Sequence, residues 1–341
     1  MKREVVVITG ASAGVGRATV REFARHGAWI GLIARGQDGL RAARREVEAA
    51  GGKALVHVAD VADAGQVEEA ASQVERKLGP IDIWVNNAMT SVFSPVKEMR
   101  PDEYRRVTEV TYLGYVYGTL AALKRMLARN RGTIVHVGSA LAYRSIPLQS
   151  AYCAAKHAVL GFHTSLRTEL LHDHSQVRTT MVQMPALNTP QFGWVKSRLP
   201  RKAQPVPPIY QPEVAARAIY YAAHHPDRRA YYAAWSAVEA AVGNKLAPGF
   251  ADRYLARTGY DSQQLDSPED PNRLNNLWEP LPGDHGAHGT FDDRARRHSL
   301  ELWLETHPRW TAAGALALAA ALVGLLKKDY AKTEPRYHQA A

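Results

Sequence analysis

The N-terminus places a strand pattern, a glycine-rich turn and a helix pattern in direct succession. Residues 4–8, EVVVI, are mostly apolar and β-branched, residues 9–16 read TGASAGVG, and a segment with helical apolar spacing follows. In this order Gly10 permits a tight turn, Gly14 lets a pyrophosphate approach the backbone, and Gly16 lets the helix pack closely on the strand. Phosphates are favoured at such a helix N-terminus by its free amides and its dipole. The turn therefore predicts a dinucleotide site.

Apolar runs alternate with helix-patterned segments along most of the chain. The runs cover residues 4–8, 28–34, 54–58, 81–85, 133–138 and 177–183, with 229–235 as a seventh candidate. Alternation of this kind requires a mostly parallel sheet that is covered by helices on both faces. We predict a doubly wound α/β Rossmann fold of about seven strands, with ligands at the carboxyl ends of the strands.

Three polar residues in the middle of the chain indicate proton-transfer chemistry. Tyr152 and Lys156 are four residues apart in a helical pattern, so both side chains leave the same face. The lysine cation would lower the phenol pKa from its ordinary value of about 10, which suits acid/base work near neutral pH. Ser139 directly follows the run 133–138, where its hydroxyl can hold a substrate oxygen. Such a tyrosine–lysine pair also fits an amphipathic surface, and the glycine turn favours the functional interpretation.

The residues after the second run bear on the choice of cofactor. Ala34 stands where a ribose without a 2′-phosphate would find an acidic partner, and Arg35 follows it. Arginine suits a 2′-phosphate because its hydrogen bonds are bidentate and charge-assisted. We predict NADP (NADPH) rather than NAD. The alternative for Arg35 is a solvated loop cation. Arg17 either adds its positive charge to the electrostatic field that attracts the 2′-phosphate or faces water.

Taken in order, these segments resemble the short-chain dehydrogenase/reductase superfamily, in its branch with a single Rossmann domain. The resemblance covers about residues 1–260 and rests on TGASAGVG at 9–16, Asp60-Val61, Asn86-Asn87-Ala88, Ser139, Tyr152 and Lys156. It implies an enzyme that interconverts an alcohol and a ketone or aldehyde, and a homodimer or homotetramer.

The resemblance also assigns roles to single residues. Tyr152 would be the acid/base, Lys156 would bind the nicotinamide ribose, and Ser139 would orient the carbonyl. Thr111 stands where the family often has an asparagine that completes a proton relay, while Met89 and Ala186 replace two family glycines. The implied cofactor contacts are Thr9, Gly10, Ser12, Gly14, Val15, Gly16, Arg35, Asp60, Val61, Asn87, Ala88, Tyr152, Lys156, Pro185 and Thr189.

Composition excludes several other classes of protein. The 341 residues contain one cysteine, Cys153, so no internal disulfide forms, and no metal-ligand spacing is present. A reducing, cytoplasmic compartment is expected, since the N-terminus lacks a secretory signal pattern. The net charge of +10 comes from scattered basic residues without a nucleic-acid motif, so we predict no nucleic-acid partner.

Three segments after residue 185 depart from the alternation of strands and helices. Residues 186–212 are rich in proline and aromatics and predict a substrate lid, or a loop that packs on a partner subunit. Residues 261–308 are polar and aperiodic, which indicates a linker or extension. Residues 309–341 predict an apolar helix with a basic tail, in which 310–326 carry no charge. That helix needs cover, either from the inner face of a membrane or from protein, unless the segment is disordered.

A rival function uses the same observations differently. The substituted relay position and the appended tail also fit a catalytically weak NADP-binding sensor, or a membrane-associated scaffold. A binding module has no need of Ser139, Tyr152 and Lys156 together. The sequence therefore favours the enzyme.

Overall fold

Seven parallel strands form the centre of the protein. The structure is a computed structural model that describes residues 3–314. The strands are β1 (Val5–Thr9), β2 (Trp29–Ala34), β3 (Ala54–Val58), β4 (Ile83–Asn86), β5 (Gly132–Val137), β6 (Val177–Gln183) and β7 (Ala230–Tyr232). Their spatial order is β3-β2-β1-β4-β5-β6-β7, and every neighbouring pair is parallel. The order reverses between β1 and β4, and this reversal opens a crevice at the carboxyl ends of the strands.

Helices cover both faces of the sheet. They are α1 (Gly14–Arg25), α2 (Gln37–Ala49), α3 (Ala64–Leu78), α4 (Pro101–Thr108), α5 (Gly114–Met126), α6 (Ser150–His172), α7 (Pro212–His224), α8 (Trp235–Leu246), α9 (Pro248–Thr258) and α10 (Leu300–Thr306). Apolar side chains of α1, α2 and α7 share one core cluster, and those of α3, α5 and α6 share a second one. Because both faces are buried, the central strands are apolar throughout, as in the fully buried β1.

This architecture confirms the predicted doubly wound α/β fold with about seven parallel strands. The apolar runs coincide with the strands to within a few residues. The largest difference is the run 229–235, of which only Ala230–Tyr232 is strand, since α8 begins at Trp235. An apolar run alone does not separate a buried strand from the first turn of the helix that follows.

Short elements complete the edges of the crevice. Three small strand pairs join distant segments: Val92–Phe93 with Lys196–Ser197, Ala186–Leu187 with Ile209–Tyr210, and Arg201–Ala203 with Gln264–Pro268. A π-helical turn, Glu109–Leu113, links α4 to α5. Single 3₁₀ turns occupy Val96–Glu98, Leu127–Arg129, Ala140–Ala142, Pro190–Gly193 and Asp261–Gln263. The predicted lid region 186–212 is thus tied to the body of the protein by strand pairing.

Residues 261–308, expected as a polar linker, pack on the Rossmann domain. Leu277, Ala287 and Phe291 are all buried. At the end of the segment, Leu302 of α10 enters the core cluster that contains α1 and α7. The division of the chain at residue 260 stays a prediction.

The predicted apolar helix 310–326 falls largely outside the described residues, which end at 314. Within residues 3–314, no helix combines the length and the apolar character needed to cross a membrane.

Candidate active site

The glycine turn between β1 and α1 has no room for a side chain at two of its positions. Gly10 has a φ of +68°, and a Cβ on it would lie 2.8 Å from Nδ2 of Asn87. A Cβ on Gly16 would lie 2.0 Å from the carbonyl oxygen of Gly10. Neither position accepts a side chain, since such contacts are shorter than van der Waals separation and Gly10 is left-handed. The turn therefore has the close helix–strand packing that the sequence predicts.

Polar contacts tie the glycine turn to the end of β4. The amide nitrogen Nδ2 of Asn87 donates to the carbonyl oxygen of Thr9 at 2.9 Å. The Thr9 hydroxyl accepts from the main-chain N–H groups of Asn87, at 2.9 Å, and Ala88, at 3.1 Å. These contacts fix the crevice where the strand order reverses.

Tyr152 and Ser139 meet at one wall of the crevice. Ser139 follows β5, and its hydroxyl accepts from the N–H of Leu141 at 3.1 Å while its own N–H donates to Gln183 Oε1 at 2.9 Å. Burial raises the pKa of Tyr152 above its ordinary value, and a hydrogen bond with Ser139 acts in the opposite direction. The phenol is therefore protonated at neutral pH.

Lys156 is buried and has fixed partners. Its Nζ donates to the hydroxyl of Tyr115 at 2.9 Å and to the carbonyl oxygen of Val137 at 2.8 Å. It lies 5.6 Å from the ring centroid of Tyr152. Burial lowers the pKa of Lys156 to about 7. The expected lowering of the Tyr152 pKa by this lysine is wrong: burial raises that pKa, and the group that acts to lower it is Ser139 rather than Lys156.

Thr111 is bound to a neighbouring loop. Its hydroxyl donates to the carbonyl oxygen of Thr90 at 2.9 Å and accepts from the N–H of the same residue at 3.0 Å. The residue is fully buried in the π-helical turn. These bonds stabilise the turn from which α5 begins, and α5 carries Tyr115 to Lys156.

One cavity of about 640 Å³ follows the crevice. Its lining contains most of the residues predicted for the site: Gly10, Ser12, Gly14, Val15, Arg35, Asp60, Val61, Asn87, Ala88, Ser139, Tyr152, Lys156, Pro185 and Thr189. Thr9, Gly16 and Thr111 support that lining from behind. The glycine turn and the Ser139–Tyr152–Lys156 group thus open onto the same space, and its shape and donors fit a dinucleotide.

Arginines at the adenosine end have protein partners. Arg35 donates through Nη2 to the carbonyl oxygen of Asn276 at 2.5 Å and through Nη1 to that of Trp278 at 2.6 Å. Asp60 accepts from Nη2 of Arg106 at 2.5 Å. Arg35 is therefore not a solvated loop cation. Burial, and next the charge of Arg106, lower the pKa of Arg35.

Arg17 does not face the cofactor space as a free cation. It is buried, donates to Glu46 at 2.8 Å, and also donates to the carbonyl oxygens of Ser12, at 3.1 Å, and Gly39, at 2.9 Å. The side chain therefore buttresses the glycine turn from behind. This corrects the expectation that it adds to a 2′-phosphate field or faces water.

Of three aromatic residues in the lid region, two reach the cavity. Phe192 and Trp194 line the space, and Tyr210 packs into the core cluster instead. Tyr210 is held there because its strand, Ile209–Tyr210, pairs with Ala186–Leu187.

Tyr115 and Gln183 carry functions that the sequence reasoning missed. No local signal identifies Tyr115, because its partner Lys156 lies 41 residues further along the chain. Gln183 ends β6 and accepts the N–H of Ser139. A Cβ on Gly138 would lie 2.3 Å from Oε1 of Gln183. The glycine before Ser139 is therefore a sequence signal that another side chain approaches closely at this point.

Comparison with known proteins identifies the family. A family model for short chain dehydrogenases matches residues 4–198. The uncharacterized oxidoreductase YxnA of Bacillus subtilis is 33% identical over 94% of this chain and 91% of its own length. The 3-dehydrosphinganine reductase of Danio rerio is 34% identical over 63% of this chain and 66% of its own length.

Solved structures agree with these relatives. An alcohol dehydrogenase of the archaeon Thermococcus sibiricus, complexed with 5-hydroxy-NADP, is 29% identical with a TM-score of 0.59, over 68% of this chain and 95% of its own. A metagenomic short-chain oxidoreductase in complex with NADP is 30% identical with a TM-score of 0.57, over 67% of this chain and 96% of its own. The chain belongs to the short-chain dehydrogenase/reductase superfamily and is an oxidoreductase acting on CH–OH groups.

Proposed function

We propose that the protein is an NADP-dependent oxidoreductase that interconverts an alcohol and a ketone or aldehyde, with an apolar, lipid-like substrate. The observation that carries this proposal is the shared cavity, in which Ser139, Tyr152 and Lys156 face the space next to the glycine turn. Gly10 and Gly16, where side chains do not fit, let the turn pack closely at the N-terminus of α1, and a helix N-terminus suits phosphates.

Ser139, Tyr152 and Lys156 have separate roles in the proton transfer of carbonyl reduction. A bound nicotinamide cofactor supplies the hydride to the carbonyl carbon. The Ser139 hydroxyl holds the carbonyl oxygen, and Tyr152 donates its phenol proton to that oxygen. Lys156 has two acceptors in Tyr115 and Val137, which leaves one ammonium hydrogen for the nicotinamide ribose. Oxidation of the alcohol reverses these proton movements.

Arg35 supports NADP as the preferred dinucleotide. It lines the adenosine end of the cavity, and contacts with the carbonyl oxygens of Asn276 and Trp278 hold its guanidinium there. Two of the similar structures were solved with NADP or a derivative of it.

We expect Arg35→Ser to reduce the preference for NADPH over NADH by about tenfold, since a charge-assisted bond to phosphate is lost. The measurement is the ratio of the two dissociation constants. Arg41→Ser, on the exposed side of α2, is the matched control and should leave the ratio unchanged. An unchanged ratio for the Arg35 variant would assign 2′-phosphate recognition to another group.

The walls of the cavity support an apolar substrate. Phe192 and Trp194 line it, together with Leu255 and Tyr254 of α9. Leu246 and Phe250 of the same two helices expose 79% and 71% of their surface, so α8 and α9 carry apolar surface beyond the cavity walls as well.

Turnover tests the function and the substrate class together. NADPH oxidation by the full chain should occur with aliphatic aldehydes and ketones, and kcat/KM should rise about fourfold for each methylene buried in the cavity. A kcat/KM that does not change with the length of the aliphatic chain would contradict an apolar substrate. NADPH binding without turnover of any carbonyl compound would instead support a binding module, either a sensor or a scaffold.

The apolar segment 310–326 and the family support a location and an assembly for the protein. We infer a cytoplasmic protein that is attached to the inner face of a membrane through residues 310–326 and forms a homodimer or homotetramer. Cell fractionation of the full chain beside a chain ending at Pro308 is the test. The full chain is expected in the membrane fraction and the shortened chain in the supernatant, and equal distribution would contradict attachment.

A further inference from the structure

Residues 276–286, which we name the strap, lie across the adenosine half of the cavity. Leu277 of the strap is fully buried, and its carbonyl oxygen accepts from Nε of Arg106 at 3.0 Å. The carbonyl oxygens of Asn276 and Trp278 accept from Arg35. Two arginines beside Asp60 therefore fix the first part of the strap at the end of the cavity where the adenine is expected.

The second part of the strap is fixed to the glycine turn itself. The N–H of Gly14 donates to the carbonyl oxygen of Gly286 at 3.0 Å. Asp284 accepts from Nη1 of Arg17 at 3.1 Å, and the N–H of Gly283 donates to Asp38 of α2 at 3.0 Å. These contacts come from α1, α2 and the turn between β1 and α1, so the strap is built onto the elements that form the phosphate site.

His285 stands between these anchors, at the open rim of the cavity. It lines the cavity, its side chain is exposed, and it is adjacent in sequence to the residue that binds Gly14. Its ring meets Trp194 of the lid edge-on, with centroids 4.7 Å apart. The carboxylate of Asp284 is engaged by Arg17 and accepts hydrogen bonds only, whereas the imidazole of His285 can donate one into the cavity beside the turn.

The lid is joined to the strap by further main-chain contacts. The N–H of Asn276 donates to the carbonyl oxygen of Trp194 at 3.1 Å. Arg273 donates to the carbonyl oxygens of Phe192, at 2.8 Å, and Val195, at 2.7 Å. The lid over the substrate end and the strap over the cofactor end therefore form one connected cover.

We propose that the strap is a working part of the dinucleotide site, and that the His285 side chain contacts the phosphates of the bound dinucleotide. The cavity stays open beneath the strap, since Pro280, Gly283 and His285 line it together with Ser12 and Val15. A phosphate held at the N-terminus of α1 lies within reach of a donor at the rim. The inference rests on the proposed dinucleotide binding and adds a ligand contact from outside the Rossmann domain.

The test is the dissociation constant of NADPH and of NADH for the full chain, from fluorescence titration. We expect His285→Ala to weaken both by about tenfold, because a hydrogen bond to a charged group is lost and both dinucleotides contain the pyrophosphate. His285→Gln keeps a donor and should retain most of the affinity. His298→Ala is the matched control, since His298 is an exposed histidine of the same segment beyond the strap.

Hydrogen exchange supplies a readout that does not depend on a variant. Amides of residues 276–286 should exchange more slowly when NADPH is added to the wild type. Failure of the wild type to bind either dinucleotide would remove the proposed function and the strap's role with it. Binding by the wild type that His285→Ala leaves unchanged, with unaltered strap exchange, would overturn the strap inference alone.

Discussion

Tyr152→Phe is expected to lower kcat for carbonyl reduction by about 10²–10⁴-fold, the contribution of a positioned general acid. The dissociation constant of NADPH should change little, because phenylalanine keeps the ring and removes only the hydroxyl. Burial raises the pKa of Tyr152, so the phenol carries its proton throughout the physiological range and serves as a donor. The measurement is initial-rate NADPH oxidation with the best carbonyl substrate, beside NADPH titration.

A tyrosine that is not among the residues lining the cavity provides the control for this variant. Tyr260 follows α9 and exposes 47% of its surface. Tyr260→Phe removes an equivalent hydroxyl without touching Ser139 or Lys156, and its kcat should stay close to that of the wild type. Equal turnover by Tyr152→Phe and the wild type would exclude the phenol from the mechanism.

The sheet and the cofactor turn were predictable because their signals are local. A buried parallel strand must be apolar along its whole length, and a turn whose positions exclude a Cβ must contain glycine. Gly10 and Gly16 show the second rule directly, since a Cβ on either would collide with the turn or with Asn87. Each of these requirements acts over a few neighbouring residues, so the sequence displays it.

The partners of Lys156 and the course of the strap were not predictable in this way. Tyr115 reaches Lys156 across 41 residues, and Arg35 reaches Trp278 across 243. Such contacts depend on where the sheet places distant loops, and a polar, aperiodic sequence such as 276–286 contains no period to reveal them. Apart from the Asp284 carboxylate, the strap is held mostly through main-chain groups, which carry no residue identity, and its composition therefore resembles that of a linker.

Tyr115→Phe is expected to move the pH dependence of carbonyl reduction toward acid by about one unit. Burial lowers the pKa of Lys156 to about 7, so the ammonium form is present below that pH and is lost as the pH rises through it. If the ammonium orients the ribose, kcat/KM of the wild type for NADPH falls above about pH 7. The Tyr115 hydroxyl accepts a hydrogen bond from Nζ at 2.9 Å and thereby favours the charged form.

Removing that acceptor destabilises the ammonium by about the strength of one charge-assisted bond, which corresponds to about one pH unit or more. The pKa of Lys156 then falls further, and the descending limb of the kcat/KM profile for NADPH appears at lower pH. Tyr117→Phe is the matched control, because Tyr117 lies on the same helix and packs into the core beside α3 and α5. A Tyr115→Phe profile that superimposes on that of the wild type would show that Val137 alone fixes the lysine. A shift restricted to Tyr115→Phe would make this tyrosine a positioning residue that stabilises the ammonium of Lys156.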